Sequence, residues 1–275
     1  MKISKLVLIA GTMKTTGFDF LEQLPAIEDP PQPRQTKKGK KKQKKAHNGF
    51  KSIRDDIVSQ SVGSKILHYH SIAFFKDDLG LLLPGNWLND NNIAFIYEWL
   101  THNHLAPRTS LVFPSIVQLL VHFPLLDDLA SLIPTKNTDY VFLPLNDIED
   151  FQETDLEAVN TGDHWLLCVY SYRSSRLYVY DSADDTNDEL LEALAKRIEI
   201  GTKTKKVEIT KMVCDQQPNE DDCGVYVLMI TCALMKKIND HIENNETQLL
   251  DILSLKFDAT SARMFMMKLV RTLQN

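Results

Sequence analysis

The stretch from Gly224 to Ile238 constrains the fold more than any other part of the sequence. Its 15 residues are almost all apolar, and their length and their Ala, Met and Leu content favour a helix over a strand. The stretch is shorter than the roughly 20 residues that a membrane span needs, so we expect a helix buried in a protein core. The chain of 275 residues is long enough to build that core as one large domain or as two small ones.

The charged residues divide the chain into two parts. Residues 1–61 carry 13 Lys or Arg and 6 Asp or Glu, whereas residues 62–275 carry 18 and 31. Seven of the nine residues in Lys37–Lys45 are lysine, shortly after a proline-rich run. We therefore predict a disordered basic extension over 1–61 and a folded acidic domain over 62–275. The lysine run is either a solvated tail or a patch for nuclear import or nucleic acid.

The acidic domain itself is expected to repel nucleic acid and to favour a basic protein partner. Apolar periodicity and flanking turn residues predict the elements of this domain. The predicted helices are 93–100, 114–122, 189–198, 224–238 and 261–273, with a helical turn at 71–75. The predicted strands are 66–69, 140–143, 165–170, 177–180 and 206–213. A long acidic loop is predicted over 146–163. This mixture without strict alternation predicts the α+β class.

Three ionisable residues fall at the edges of these elements. His164 precedes the first strand of a predicted hairpin and Asp181 follows the second, so their side chains are expected to be neighbours. Cys223 begins the buried helix, where unpaired N–H groups and the helix dipole favour a thiolate. Taken singly, each is more often structural: a His beside a Trp, an Asp in a turn, a Cys in a core. Their joint placement predicts a nucleophilic triad for a cysteine protease or a related acyl-transfer enzyme.

The remaining cysteines suggest neither disulfides nor a metal site. Four Cys are too few for a disulfide scaffold, which favours a reducing compartment. Cys214 and Cys232 lie nine residues on either side of Cys223, a spacing that matches no zinc pattern, and Cys168 lies inside a strand. All three are interpreted as core thiols, and we expect neither a metal nor another cofactor.

Four sequence motifs resemble those of the SUMO/sentrin-specific protease family, cysteine peptidases that cut ubiquitin-like modifiers after a terminal Gly-Gly. The motifs are Trp87-Leu88-Asn89-Asp90, His164-Trp165, Tyr180-Asp181-Ser182 and the run from Gln217 to Gly224. The resemblance covers roughly residues 65–275. It implies a papain-like fold with a central mixed sheet flanked by helices. The compact body, the length of chain from Tyr69 to Trp87 and the segment Val141–Asp147 are most similar to the deneddylase branch, which acts on the Nedd/Rub-type modifier.

The resemblance also implies a role for each motif residue. Cys223 would be the nucleophile, His164 the general base and acid, and Asp181 the carboxylate that orients it. Gln217 would donate its amide to the oxyanion. The substrate-binding residues would be Trp87 and Trp165, as roof and floor of a Gly-Gly tunnel, and Asp90, which would contact the modifier or else cap a helix.

One position departs from the family pattern. The family often has an aromatic residue two positions before the cysteine, and this chain has Asp221 there. The substitution places an additional negative charge near the thiol.

The sequence and the resemblance together predict a thiol protease for a Nedd/Rub-type modifier and its conjugates, with SUMO as the second candidate. Two alternatives of other classes remain open: a catalytically silent module that binds a ubiquitin-like protein, and an acetyltransferase with the same triad. The intact triad argues against the first and the tunnel tryptophans against the second. We expect a monomer without a membrane segment, located in the nucleus or cytoplasm.

Overall fold

The computed structural model describes residues 14–15, 61, 63–122, 132–135, 137–148, 164–184, 188–240 and 245–274. Most of the predicted basic extension and residues 149–163 of the predicted acidic loop lie outside these ranges. The domain boundary and the loop therefore stay predictions.

Nine strands and seven helices are assigned within the described ranges. The strands are β1 (Lys14–Thr15), β2 (Lys65–Tyr69), β3 (Ile72–Phe75), β4 (Thr109–Leu111), β5 (Tyr140–Asn146), β6 (Trp165–Ser171), β7 (Arg176–Tyr180), β8 (Glu208–Met212) and β9 (Lys256–Phe257). The helices are α1 (Lys76–Leu81), α2 (Asp90–Asn103), α3 (Pro114–His122), α4 (Asp188–Thr202), α5 (Cys223–Asp240), α6 (Glu246–Leu249) and α7 (Ala259–Gln274). The predicted α+β class is confirmed.

A five-stranded mixed sheet forms the centre of the fold, in the order β4-β5-β6-β7-β8. The central strand β6 is antiparallel to both of its neighbours, β5 and β7. The two edge strands, β4 and β8, run parallel to the strands that they pair with. Two small sheets lie outside it: a hairpin of β2 and β3, and a parallel pairing of β1 with β9.

Both faces of the three central strands are buried, which explains why these strands are mostly apolar without alternation, whereas no residue of edge strand β8 is buried. In β6, Leu167 and Val169 belong to the core on the side of α2, α5 and α7, whereas Leu166 and Cys168 face the core on the side of α3 and α4. This alternation follows from the two-residue period of a strand. The sheet is therefore the middle of three layers.

Helix α5 is the predicted buried helix, and it packs on β6 and on α7. Its first 13 residues, from Cys223 to Met235, are all buried. No helix in the described ranges is both long and apolar enough to cross a membrane.

The helical turn predicted at 71–75 is wrong, because Ile72–Phe75 is strand β3. The turn that joins β2 to β3 has a positive φ of 47° at His70, and it returns the chain so that Ile72 pairs with Tyr69. Predicted strand 140–143 is longer than expected. It continues through Pro144 to Asn146, because β6 pairs with it along its whole length.

Candidate active site

The β6–β7 hairpin brings His164 and Asp181 together, as the sequence predicts. His164 immediately precedes β6 and Asp181 immediately follows β7, and His164 Nε2 lies 2.7 Å from Asp181 Oδ1. Both residues are buried. A carboxylate held against one ring nitrogen fixes the tautomer of the imidazole and stabilises its protonated form.

Neighbouring backbone groups hold both members of this pair. The His164 backbone N–H donates to Asp147 Oδ1 at 2.7 Å, and Asp147 N–H donates back to the His164 carbonyl at 3.1 Å. Asp181 Oδ1 also accepts from Ala183 N–H at 2.9 Å. The Gln216 amide donates to the Asp181 carbonyl at 3.0 Å. The orientation of the imidazole is therefore fixed from the ends of β5, β6 and β7.

Cys223 is the first residue of α5. Its side chain interacts with the imidazole, because it is one of the two groups that raise the pKa of His164. The other group, Asp181, lies at Nε2 of the same ring. The thiol also lies at the positive end of the α5 dipole, which favours a negative charge there. The side chain is almost completely buried, at 1% exposed.

The two partners of His164 determine its charge state. Burial lowers the pKa of the imidazole, but the hydrogen bonds and negative charges of Asp181 and Cys223 outweigh this and raise the pKa to about 10. His164 therefore remains an imidazolium at neutral pH when both partners are charged. An imidazolium beside a thiol is the arrangement that activates a cysteine nucleophile.

Gln217 lies in the loop before α5 and is hydrogen-bonded to Ser182, the residue that follows Asp181. Its backbone N–H donates to the Ser182 carbonyl at 2.8 Å, and its side-chain Oε1 accepts from Ser182 Oγ at 2.8 Å. Its Nε2 donates to the Asn219 carbonyl at 2.7 Å. Ser182 thus fixes which end of the amide carries the N–H groups. The sequence motif contained Ser182, but its role could not be predicted because the contact joins two distant loops.

Trp165 packs directly against Gly224, the residue that follows Cys223. Its indole Nε1 donates to the Leu88 carbonyl at 2.9 Å. A Cβ added to Gly224 would lie 3.0 Å from Leu88 Cβ and 3.4 Å from Trp165 Cδ1. A glycine at this position therefore allows the indole and the segment around Leu88 to approach the start of α5 closely.

The structure places Trp87 and Asp90 beside this segment. Trp87 precedes Leu88 and is half-buried, whereas Asp90 is exposed. Asp90 does not cap helix α2, because Asn89 takes that position and accepts from Asn92 N–H at 2.9 Å. The carboxylate of Asp90 accepts from Asn91 N–H at the helix start. The modifier contact predicted for Asp90 stays a prediction.

The other cysteines, Cys168, Cys214 and Cys232, are buried thiols that form no disulfide. Burial raises the pKa of Cys214 to about 12 and raises the pKa of both Cys168 and Cys232 far above the usual range. Among the described residues no group of three or more His, Cys, Asp or Glu side chains is arranged to hold a metal ion. The arrangement of Cys223, His164 and Asp181 provides a thiol beside an imidazole and a carboxylate that orients it, which are the groups that nucleophilic catalysis by a cysteine requires.

Comparison with curated proteins identifies relatives of this chain. The chain is 30% identical over 193 residues to the NEDD8-specific protease 2 of Schizosaccharomyces pombe, a match that covers 66% of this chain and 45% of that protein. It is 27% identical over 177 residues to the human sentrin-specific protease 8, covering 62% of this chain and 80% of that one. The chain thus spans less than half of the fission-yeast relative.

Solved structures show the same fold. The C-terminal Ulp1 protease domain in complex with Smt3, the yeast ortholog of SUMO, superposes with a TM-score of 0.56 at 18% identity, covering 82% of this chain and 95% of that one. Residues 86–271, which include every member of the candidate site, match the Ulp1 protease family, C-terminal catalytic domain. The chain therefore belongs to the Ulp1 family of cysteine proteases.

Proposed function

We propose that this protein is a thiol protease that cleaves after the C-terminal Gly-Gly of a Nedd/Rub-type modifier, in precursors and in conjugates. The observation that carries the proposal is the single imidazole of His164, which is hydrogen-bonded to Asp181 and interacts with the Cys223 side chain at the start of α5. Such a chain of contacts moves a proton between a nucleophile and a leaving group.

The reaction follows from these contacts. The Cys223 thiolate attacks the carbonyl carbon of the terminal glycine, and His164 donates its proton to the leaving amine as the C–N bond breaks. The resulting thioester is hydrolysed by a water molecule, which His164 deprotonates as it attacks. Asp181 keeps the imidazole oriented and stabilises its positive charge in both steps.

Gln217 is proposed as an oxyanion donor, together with the backbone N–H of Cys223. A side-chain amide nitrogen carries two hydrogens, and one of those on Gln217 Nε2 donates to the Asn219 carbonyl. The second is available to the negative oxygen that develops in the tetrahedral intermediate.

Replacing Gln217 with alanine is expected to lower kcat by about 10² to 10³-fold, which corresponds to about 2.7–4 kcal/mol of lost transition-state stabilisation. Steady-state cleavage of a modifier precursor would measure it, with KM nearly unchanged because the donor acts in the transition state. Gln217→Glu is the matched variant, since it keeps an acceptor for Ser182 but has no N–H group. An unchanged kcat in both variants would remove Gln217 from the mechanism.

Trp87 and Trp165 are proposed as the two walls of the channel for the modifier tail. Trp165 lies against Gly224, next to the proposed nucleophile. Its indole donates a hydrogen bond to the carbonyl of Leu88, the residue that follows Trp87. A channel between two indoles admits residues without side chains, which would explain selection of a Gly-Gly tail on steric grounds.

The preference for a Nedd/Rub-type modifier rests on the relatives and on charge. Relatives in fission yeast and in Arabidopsis thaliana are named NEDD8-specific proteases. The body of this chain, residues 62–275, has a net charge of −13, which favours a modifier with a basic contact surface.

A panel of ubiquitin-like modifiers with C-terminal electrophiles tests this preference. We expect the Nedd/Rub-type probe to label Cys223 much faster than SUMO or ubiquitin probes, with an association rate that falls as salt rises. Equal or faster labelling by SUMO would favour the SUMO protease alternative. Binding without labelling would favour a silent module, and acetyl transfer from a donor would favour the acetyltransferase alternative.

A further inference from the structure

Arg263 is a buried charged residue that the proposed reaction does not use. It lies in α7 and is 1% exposed. Its guanidinium has five N–H groups, and each has an acceptor. The acceptors are Asp222 Oδ1 at 2.8 Å and the carbonyls of Leu81 at 3.0 Å, Leu83 at 3.2 Å, Asn86 at 2.8 Å and Asp221 at 2.9 Å.

These acceptors belong to two segments that border the candidate site. Three of them lie in residues 81–86, which lead directly into Trp87. The other two belong to Asp221 and Asp222, which directly precede Cys223. One side chain of α7 therefore connects the segment that carries the proposed channel wall to the segment that carries the nucleophile.

Asp221 makes a second connection between the same two segments. Its Oδ2 accepts from Gly85 N–H at 2.7 Å and lies 4.0 Å from Arg263 Nη2. Gly85 has a φ of +82°, a conformation that disfavours residues with side chains, and it lies two residues before Trp87. The carboxylate at the position that departs from the family pattern thus accepts a hydrogen bond from the segment that leads into Trp87, and it lies near a guanidinium that also pairs with Asp222.

We propose that Arg263 and Asp221 are positioning residues, which fix the distance between the Trp87 segment and Cys223 and hence the opening through which the tail reaches the thiol. The proposal rests on the proposed function. A small shift of the Trp87 segment would narrow or misalign the channel without changing the thiol, its imidazole or its carboxylate. The reaction that needs the channel should then slow, and a reaction that needs the thiol alone should not.

Two reagents applied to the same variants separate these effects. Iodoacetamide is small and reports the reactivity of Cys223, whereas a Nedd/Rub-type modifier with a C-terminal electrophile must also thread its Gly-Gly tail. In Asp221→Ala we expect the iodoacetamide rate to stay within about twofold of wild type and the probe rate to fall about 10- to 100-fold, the size of effect that misplacement by about 1 Å produces.

Matched variants distinguish positioning from charge and from loss of stability. Asp221→Asn keeps an oxygen that accepts from Gly85 N–H, so it should restore most of the probe rate. Glu220→Ala removes a neighbouring exposed charge without this contact and should leave both rates unchanged. Arg263→Lys keeps the charge beside Asp222 but supplies three donors in place of five. It should therefore slow the probe selectively in samples whose thermal unfolding shows that they are folded.

Equal slowing of both reagents in Asp221→Ala would overturn the proposal, because the thiol itself would then be affected. An unchanged probe rate would overturn it as well. A wild-type protein that reacts with iodoacetamide but with none of the modifier probes would instead refute the proposed function, and the positioning role would fail with it. The wild-type measurement therefore distinguishes the two failures.

Discussion

Replacing Cys223 with alanine is expected to abolish cleavage of a modifier precursor, with a loss on the order of 10⁶-fold in kcat. The effect is large because the sulfur of Cys223 is the atom that forms the thioester intermediate in the proposed reaction. Without this thiol, His164 and Asp181 lose the nucleophile that they activate in the proposed reaction. Release of a C-terminal extension from a precursor, followed over time, measures the loss.

Binding should survive this substitution, because Cys223 is small and 1% exposed and therefore contributes little contact surface. Titration of the inactive variant with mature modifier should give a Kd close to that of the wild type. Cys232→Ala is the matched control: it removes a buried thiol from the same helix, nine residues after Cys223, and should retain cleavage. Turnover above a trace in Cys223→Ala would show that another residue is the nucleophile.

Replacing Asp181 with asparagine is expected to lower kcat by about 10⁴-fold and to move the alkaline limit of activity to lower pH. The rate loss is the typical size for removing the carboxylate of a triad. The shift in pH follows from the charge of His164. Burial by itself lowers the pKa of this imidazole, and the carboxylate of Asp181 is the first of the contacts that raise it to about 10.

The direction of the shift is fixed by which form of His164 is lost. In the proposed reaction the imidazolium donates a proton to the leaving amine, so activity should persist while His164 is protonated and fall as the pH rises through its pKa. In the wild type this fall is expected near pH 10, and in Asp181→Asn at lower pH. The pH dependence of kcat/KM measures the limit, and an NMR titration of the His164 ring checks the assignment.

Asp184→Asn is the matched control for this experiment. Asp184 is exposed and lies three residues after Asp181, so its removal should leave both the rate and the alkaline limit nearly unchanged. An Asp181→Asn protein with an unshifted limit would show that the carboxylate does not determine the charge of His164.

The local pattern of apolar residues is sufficient to predict most helices and strands of the fold. The limits of helix 114–122 match the prediction, and the hairpin of β6 and β7 differs from it by one residue at each of two ends. These segments have strong apolar patterns and clear flanking residues. Ile72–Phe75 was assigned wrongly because four apolar residues fit either a helical turn or a strand, and only pairing with β2 selects the strand.

Within the candidate site, too, local pattern predicts some contacts and tertiary packing alone decides others. The position of His164 and Asp181 at the two ends of one hairpin could be predicted, because strand pairing places those ends side by side. The partnership of Ser182 with Gln217 could not, since it joins loops 35 residues apart that no periodicity connects. A signal for Arg263 was present: with Met266, Met267 and Val270 it occupies the buried face of α7, where a charge requires partners.

The sequence by itself determined the order of the elements, the buried helix, the pairing of the β6–β7 hairpin and the residue types at the candidate site. Each of these depends on residue types and spacings within a short segment of chain. The tertiary structure decided the interaction of the His164 ring with Cys223, the approach of Trp165 to Gly224 and the contacts of Arg263 with residues more than 40 positions away. These contacts depend on how the sheet and helices pack against one another, because packing brings together side chains whose separation along the chain carries no information about their distance.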